Sequence, residues 1–294
     1  MASLKELRTR IATIRSTRKV TGSMKLVAAS KLRGVQDHIL HLRDYAGILR
    51  QVLGEVILRQ SSPRSHPFLR PGAARSVLLI CVGSDKGLCG TYNLGVIRET
   101  LQQMDALQED GYRVRLMVLG KKPTRYFQQR DFDVEAIDGE IIRNVNYQSA
   151  DAFAKQVTNL YLKESFARVL IVYNRFVNAV IHNITTEQFL PLSVKRLSGK
   201  SRQDWTEDRT VILEPGQDEV VNYLTAQYVS YNWYRILLDA AASEHGSRMT
   251  AMHKASDNAD DMLKELNLRY NKARQSMVTK ELLDILGGQG SRTV

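Results

Sequence analysis

Sixteen positions near the C-terminal end of the chain follow one another in strict steps of four and three residues. They are Leu224, Tyr228, Tyr231, Arg235, Leu238, Ala242, His245, Met249, Met252, Ser256, Ala259, Leu263, Leu266, Tyr270, Ala273 and Met277, and thirteen of them are apolar. A stripe with a period of 3.5 residues buries itself only against another helix, in a left-handed supercoil. No proline follows Pro215, and only Gly216 and Gly246 precede Gly287, so a single helix is predicted over 216–286. At 1.5 Å per residue it would reach roughly 105 Å, far beyond a compact domain. A helix of that length needs a partner.

The partner is at the other end of the chain. Leu4, Leu7, Ile11, Ile14, Thr17, Thr21, Met24, Ala28, Leu32, Val35, Ile39, Leu42, Ala46, Leu49, Leu53 and Val56 form a second seam. Its register is interrupted at 14–17 and at 28, and it is unbroken from Ala28 onward. Ser61-Ser62-Pro63, then Pro67 and Pro71, end this helix, because proline lacks the amide donor and restricts its predecessor. The predicted N-terminal helix (1–59, roughly 85 Å) and C-terminal helix (216–287) therefore pair as an antiparallel coiled coil. The C-terminal helix is expected unbroken over about 217–285, outlasting its partner by around ten residues. Small residues at Ala241, Ala242, Ala255 and Ala259 allow close approach, giving a slender rod suited to insertion into a partner. The polar seam residues Thr17, Thr21, Arg235, His245 and Ser256 cost stability and serve to fix register.

Between the two helices the period changes. Val77–Val82, Val114–Leu119, Phe132–Ile137 and Val169–Tyr173 read as strands, with helices at 91–109, 121–130 and 147–165 and a further strand at Ala179–Phe189. This alternation predicts an inserted Rossmann-like α/β domain over 76–195 with a mostly parallel sheet.

Charge separates the ends from the middle. The net charge is +11, and residues 1–34 carry nine Lys or Arg against the single acid Glu6, leaving +3 for the remaining 260 residues. A basic, amphipathic start could be a transit peptide or a nucleic-acid arm. A cleavable presequence would not stay in register for over fifty residues, and no recognition motif or interleaved aromatic face accompanies the charge. No apolar run reaches the roughly 18 residues of a membrane span. The two cysteines, Cys81 and Cys89, are too few for a disulfide scaffold and are expected free in a cytoplasmic chain.

Few residues offer chemistry. Gly83-Ser84-Asp85-Lys86-Gly87-Leu88-Cys89-Gly90-Thr91-Tyr92-Asn93 follows the first strand, where an open α/β sheet places a phosphate loop. It lacks both the Gly-Lys-Ser/Thr spacing of a P-loop and the first glycine pair of a dinucleotide fingerprint, so a structural turn is the better reading. His38 and His41, and His245 and His253, have no cysteine or acidic cage beside them. Asp257, Asp260 and Asp261 fit a solvated helix face, and no nucleophile sits in an elbow or triad context. A catalytic centre, a metal site and a cofactor are not expected. A nucleotide-binding α/β enzyme and a basic coiled-coil nucleic-acid binder stay as alternatives.

Three blocks in fixed order resemble a known family across the full length. They are Leu4-Lys5-Glu6-Leu7-Arg8-Thr9-Arg10-Ile11 with Met24-Lys25-Leu26-Val27-Ala28-Ala29-Ser30-Lys31-Leu32-Arg33; Ser84-Asp85-Lys86-Gly87-Leu88-Cys89-Gly90; and Ala255-Ser256-Asp257-Asn258-Ala259, Tyr270-Asn271-Lys272-Ala273-Arg274-Gln275 and Thr279-Lys280-Glu281-Leu282. The chain is similar to the gamma subunits of F-type ATP synthases, and departs from them at Gly22-Ser23, Thr91 and Gln289. The resemblance implies a non-catalytic rotor subunit, one copy per complex, standing in a ring of three alpha and three beta subunits. Its foot would grip epsilon and the membrane ring of c subunits. It also implies ATP synthesis coupled to hydrogen ion transport, and a peripheral place on the cytoplasmic face of a bacterial inner membrane. Carried over residue by residue, it assigns Met24, Lys25, Asn271, Arg274, Gln275 and Thr279 to contacts with the catalytic subunits, and Glu214 to the rotor ring.

Overall fold

A computed structural model of the chain describes residues 4–58, 66–137, 140–164, 166–193 and 213–290. They fall into two compact units, one of residues 29–248 and one of residues 1–28 with 249–294. Helix α1 (Leu4–Leu58) and the last helix, α6 (Gln217–Gly290), each contribute to both units.

The unit 29–248 is built on a five-stranded sheet in the order β3-β2-β1-β4-β5. Its strands are β1 (Ala74–Val82), β2 (Arg113–Leu119), β3 (Val134–Ile137), β4 (Phe166–Phe176) and β5 (His182–Leu190). The first four are mutually parallel, joined by crossovers through α2 (Tyr92–Glu109), α3 (Lys121–Gln128), and α4 (Glu140–Arg143) with α5 (Tyr147–Glu164). β5 returns antiparallel to β4 as a hairpin. The unbroken apolar run of β1 is explained by cover on both faces. Leu78, Ile80, Val82, Ile171 and Tyr173 pack towards α5, the Leu53–Ile57 stretch of α1 and the Val221–Ala240 stretch of α6. Val77, Leu79, Cys81, Val118 and Val172 pack towards α2 and α3. Trp233 of α6 lies wholly inside, stacked on Phe153 at 4.6 Å and edge-on to Phe189 at 5.9 Å.

The expected fold class, long terminal helices with an α/β domain between them, is the one observed. Two strands are shorter than their apolar runs. Phe132 leaves β3 to meet Phe127 edge-on at 5.5 Å, after a turn in which Asp131 takes φ 57°. Ala179 to Ile181 belong to the β4–β5 turn, because the Asn178 side chain accepts from the amides of Val180 and Ile181.

In the second unit, residues 4–28 of α1 run antiparallel to α6 from Met249. The register is set by Arg18 against Asp260 (2.5 Å), Thr21 against Ser256 (2.8 Å) and Lys25 against His253 (3.4 Å). The interruptions expected in the α1 seam are therefore corrected. Thr17 is exposed and its hydroxyl donates to the carbonyl of Thr13 (3.1 Å); the seam passes through Arg18, and then through Lys25 next to Met24. With those two cations counted, the 4-3 repeat from Leu7 to Val56 has no break. An apolar-only reading missed them because each reaches a polar partner across the seam. In this register Leu4 lies opposite about residue 274, so about sixteen residues of α6 extend beyond α1, more than the ten expected. α6 passes Gly246 without a break.

Candidate functional site

The loop after β1 is closed upon itself and against α6. The amide of Ser84 donates to Asn93 Oδ1 (2.9 Å), whose Nδ2 donates to Ser84 Oγ (2.8 Å) and Cys89 Sγ (3.3 Å). Asp85 accepts from the amide of Lys121 (3.0 Å) and pairs with Arg143 (3.0 Å). Arg248 of α6 donates to the carbonyls of Lys86 (3.2 Å) and Gly87 (3.3 Å), while Glu244 holds its other nitrogen at 2.7 Å. A phosphate cradle must present free amides. This loop instead turns carbonyls towards a cation and spends its first two amides on the Leu119 carbonyl (3.0 Å) and on Asn93, as a structural turn does. A Cβ on Gly120 would lie 2.9 Å from the Gly83 carbonyl carbon, so the turn after β2 also clamps it. Both cysteines are free and buried; burial pushes the Cys89 thiol up and that of Cys81 to about 12. Neither is a reactive thiolate.

The histidines and aspartates are dispersed. His38 is exposed, and the side chain of His41 lies outside the described residues. His245 is held down to about 4 by burial, with Arg248 and Lys31 adding like charge. Asp260 pairs with Arg18, Asp257 faces His253 at 3.4 Å and Asp261 pairs with Lys264 at 3.0 Å, so the three acids serve three separate contacts. Arg235, a seam position, binds both Glu187 oxygens (3.0 and 2.9 Å) and Asp239 (3.2 Å), tying α6 to β5.

What remains is helix surface. Met24 and Lys25 are half-buried on α1, with Lys25 turned to His253. Asn271, Arg274, Gln275 and Thr279 are all exposed on α6. They begin eighteen residues past His253, roughly 27 Å along the helix, so the six positions form two stations and not one site. The spacing i, i+3, i+4, i+8 places the four α6 residues on one face, away from the seam at Tyr270, Ala273 and Met277. Val278 and Leu282 share that face and are about half exposed, at 50% and 55%. They were not singled out from the sequence, although the same spacing continues through them. Arg8, Arg15, Lys19, Lys272 and Lys280 are exposed and form no ion pair among the described residues, so this unit presents unneutralised positive charge. Glu214 lies in the other unit, exposed, just before α6.

Fold and surface thus define a coiled-coil scaffold protein with an α/β domain, whose candidate site is an exposed helix face. The family model described as ATP synthase matches residues 3–291. The ATP synthase gamma chain of Anaeromyxobacter dehalogenans (strain 2CP-1) is 36% identical over 293 residues, covering 98% of each chain. That of Anaeromyxobacter sp. (strain Fw109-5) is 37% identical over 292 residues with the same coverage. Among solved structures, a chain of the central stalk/c-ring of the Tetrahymena thermophila mitochondrial ATP synthase superposes with a TM-score of 0.60 at 28% identity, over 81% of this chain and 99% of that one. A chain of the Euglena gracilis OSCP/F1/c-ring assembly shares the fold, with a TM-score of 0.65 at 16% identity, over 98% and 94% of the two chains. The chain belongs to the ATP synthase gamma chain family. No helix among the described residues is long and apolar enough to cross a membrane.

Proposed function

We propose that the chain is the central rotor of a proton-translocating ATP synthase and is not itself catalytic. One copy stands within a ring of three alpha and three beta subunits. With epsilon it engages the membrane ring of c subunits, on the cytoplasmic face of a bacterial inner membrane, peripherally. The observation that carries this reading is the stretch of α6 beyond the start of α1. Met277, Val278, Leu282 and Leu283 are each at least half exposed there, on a helix that has no partner beside it among the described residues. A lone helix with apolar residues on several faces is suited to a sheath supplied by other chains.

Rotation does work because one asymmetric object meets three equivalent sites. Each catalytic subunit touches a different face of the two-helix unit, and a partner shifts a conformational equilibrium only through a difference in contact energy between its states. Arg274, Gln275, Asn271 and Thr279 supply polar contacts at one station, Met24 and Lys25 at the other, and Glu214 faces the rotor ring.

Co-expression with the alpha, beta, epsilon and c subunits of one of the bacterial relatives tests this. The tagged chain is expected to bring down all four, and a form truncated after Gln275 is expected to assemble with weakened coupling of hydrolysis to proton pumping. Recovery of the chain alone, or full coupling by the truncated form, would overturn the proposal.

A further inference from the structure

β5 is the long terminal strand of the sheet, and a hollow lies on each face beside it. Among the described residues β5 pairs only with β4, and none of them takes up the backbone donors and acceptors of its outer edge. Paired residues on neighbouring strands point to the same face. Arg175 pairs with Asn183, Tyr173 with Thr185 and Ile171 with Glu187, which places these residues on the face covered by α1 and α6. Asn174 pairs with Ile184 and Val172 with Thr186, on the face covered by α2, where Thr186 donates to Glu99 (2.9 Å).

The two hollows differ in chemistry. On the α1/α6 side a cleft of about 610 Å³ is lined by Arg50, Arg175, Glu187, Tyr228, Tyr231 and Arg235, among others. The charge of Arg235 is matched by Glu187 and Asp239. Arg50 and Arg175 are exposed and form no ion pair among the described residues, so the cleft is left positive. On the α2 side a hollow of about 580 Å³ is lined by Leu94, Ile184, Arg98, Asn174, His182 and Asn183, among others; it too holds an exposed arginine, Arg98, and what sets it apart is the aliphatic pair Leu94 and Ile184. Leu94 is 52% exposed and Ile184 44%, and Ile181 at the adjoining turn is 53% exposed.

We propose that the β5 edge accepts an extended segment of a partner protein whose residues alternate between acidic and apolar. Its backbone would continue the sheet. Successive side chains of a strand point to opposite faces, so a two-residue repeat would send carboxylates to Arg50 and Arg175 and apolar groups to Leu94 and Ile184. A segment with the same residues in two blocks would place half of each kind in the wrong hollow. This surface lies in the unit 29–248 and shares no residue with the contacts proposed at Met24, Lys25, Asn271, Arg274, Gln275, Thr279 or Glu214, so it survives or fails without them.

The test uses the full-length chain and three fluorescent peptides of nine residues, the length of β5. One alternates Glu and Val, one holds the same residues in two blocks, and one is the alternating peptide with N-methyl groups along one edge. Saturable binding of the alternating peptide is expected. The block peptide should bind about tenfold more weakly, as should the alternating peptide on the Arg50→Glu, Arg175→Glu double variant. N-methylation should abolish binding. No saturable binding of the alternating peptide, equal binding of the block isomer, or indifference to N-methylation would each overturn the proposal, and all three are read on the unmodified protein. Circular dichroism of the double variant should match wild type, since both arginines are exposed.

Discussion

Residues 236–244 of α6 are buried on every side, whereas from 257 to 283 only Ala259 is buried and Asp260, Leu263, Leu266, Tyr270 and Ala273 are half-buried. The 4-3 seam runs through both stretches, so the seam is not what separates them. The difference is a second stripe. Val221, Thr225, Val229, Trp233, Ile236, Ala240, Ser243 and Ser247 also follow in steps of four and three, and all are buried. Continuing the same steps past Ser247 gives Thr250, Lys254, Asp257, Asp261 and Lys264, all polar. One stripe makes a paired helix; two make a helix that is part of a core. The first stretch holds the fold and the second stays largely at the surface.

The largest effect should come from the second stripe. Trp233→Ala removes a fully buried ring with partners on two sides, and such truncations cost about 3–5 kcal/mol. Leu266→Ala, on the half-buried seam of the exposed stretch, should cost less than half as much. Urea denaturation of both variants checks the contrast. Equal losses would mean that the two stretches of α6 are held equally tightly and would dissolve the comparison.

A smaller effect reports on where the second stripe ends. His245 is neutral in the folded chain, held down to about 4 from 6.5 by burial beside Arg248 and Lys31. Between those values the unfolded chain binds more protons than the folded one. The stability this group confers is therefore complete above about pH 6.5 and is lost as pH falls towards 4, by up to about 3 kcal/mol. Glu244 has the opposite sign, since burial raises its carboxyl. The quantity to measure is thus the difference between wild type and His245→Gln, by denaturation at steps from pH 7 to 4. The slope of wild type should exceed that of the variant throughout, and parallel curves would mean that water reaches His245.

Much of this was legible from spacing alone. Both long helices, their antiparallel pairing and every strand of the sheet follow from period and punctuation, because burial against one neighbour imposes one period. Two things were not. Arg18 and Lys25 occupy seam positions that an apolar criterion skips, since what places them there is a polar contact with Asp260 and with His253, more than two hundred residues away. The second α6 stripe was hidden because Thr225, Ser243 and Ser247 are polar residues whose burial is set by the sheet. The Ser243 hydroxyl, for example, donates to the carbonyl of Asn174 (2.9 Å). The outer face of α6 is legible as spacing and not as role, because exposed residues leave no periodic mark of what they touch.

The smallest effect on stability should accompany a large effect on function, at Arg274 and Gln275. Both are exposed and lie off the seam; the Gln275 carbonyl accepts from the Thr279 hydroxyl (2.9 Å), a bond that an alanine backbone preserves. Their joint replacement by Ala should change the stability of the chain by no more than about 0.5 kcal/mol. In the assembled complex the same change removes one guanidinium and one amide from the face shared with Val278 and Leu282. Proton pumping per ATP hydrolysed should fall while the melting temperature of the isolated chain stays level. A face that merely met solvent would leave both unchanged, and a fall in melting temperature would place these residues in the fold instead of at a partner. Val278→Ser with Leu282→Ser then separates the two kinds of contact: if the apolar pair matters more than the polar pair, the partner encloses the helix as a sleeve, and if less, it grips through discrete hydrogen bonds.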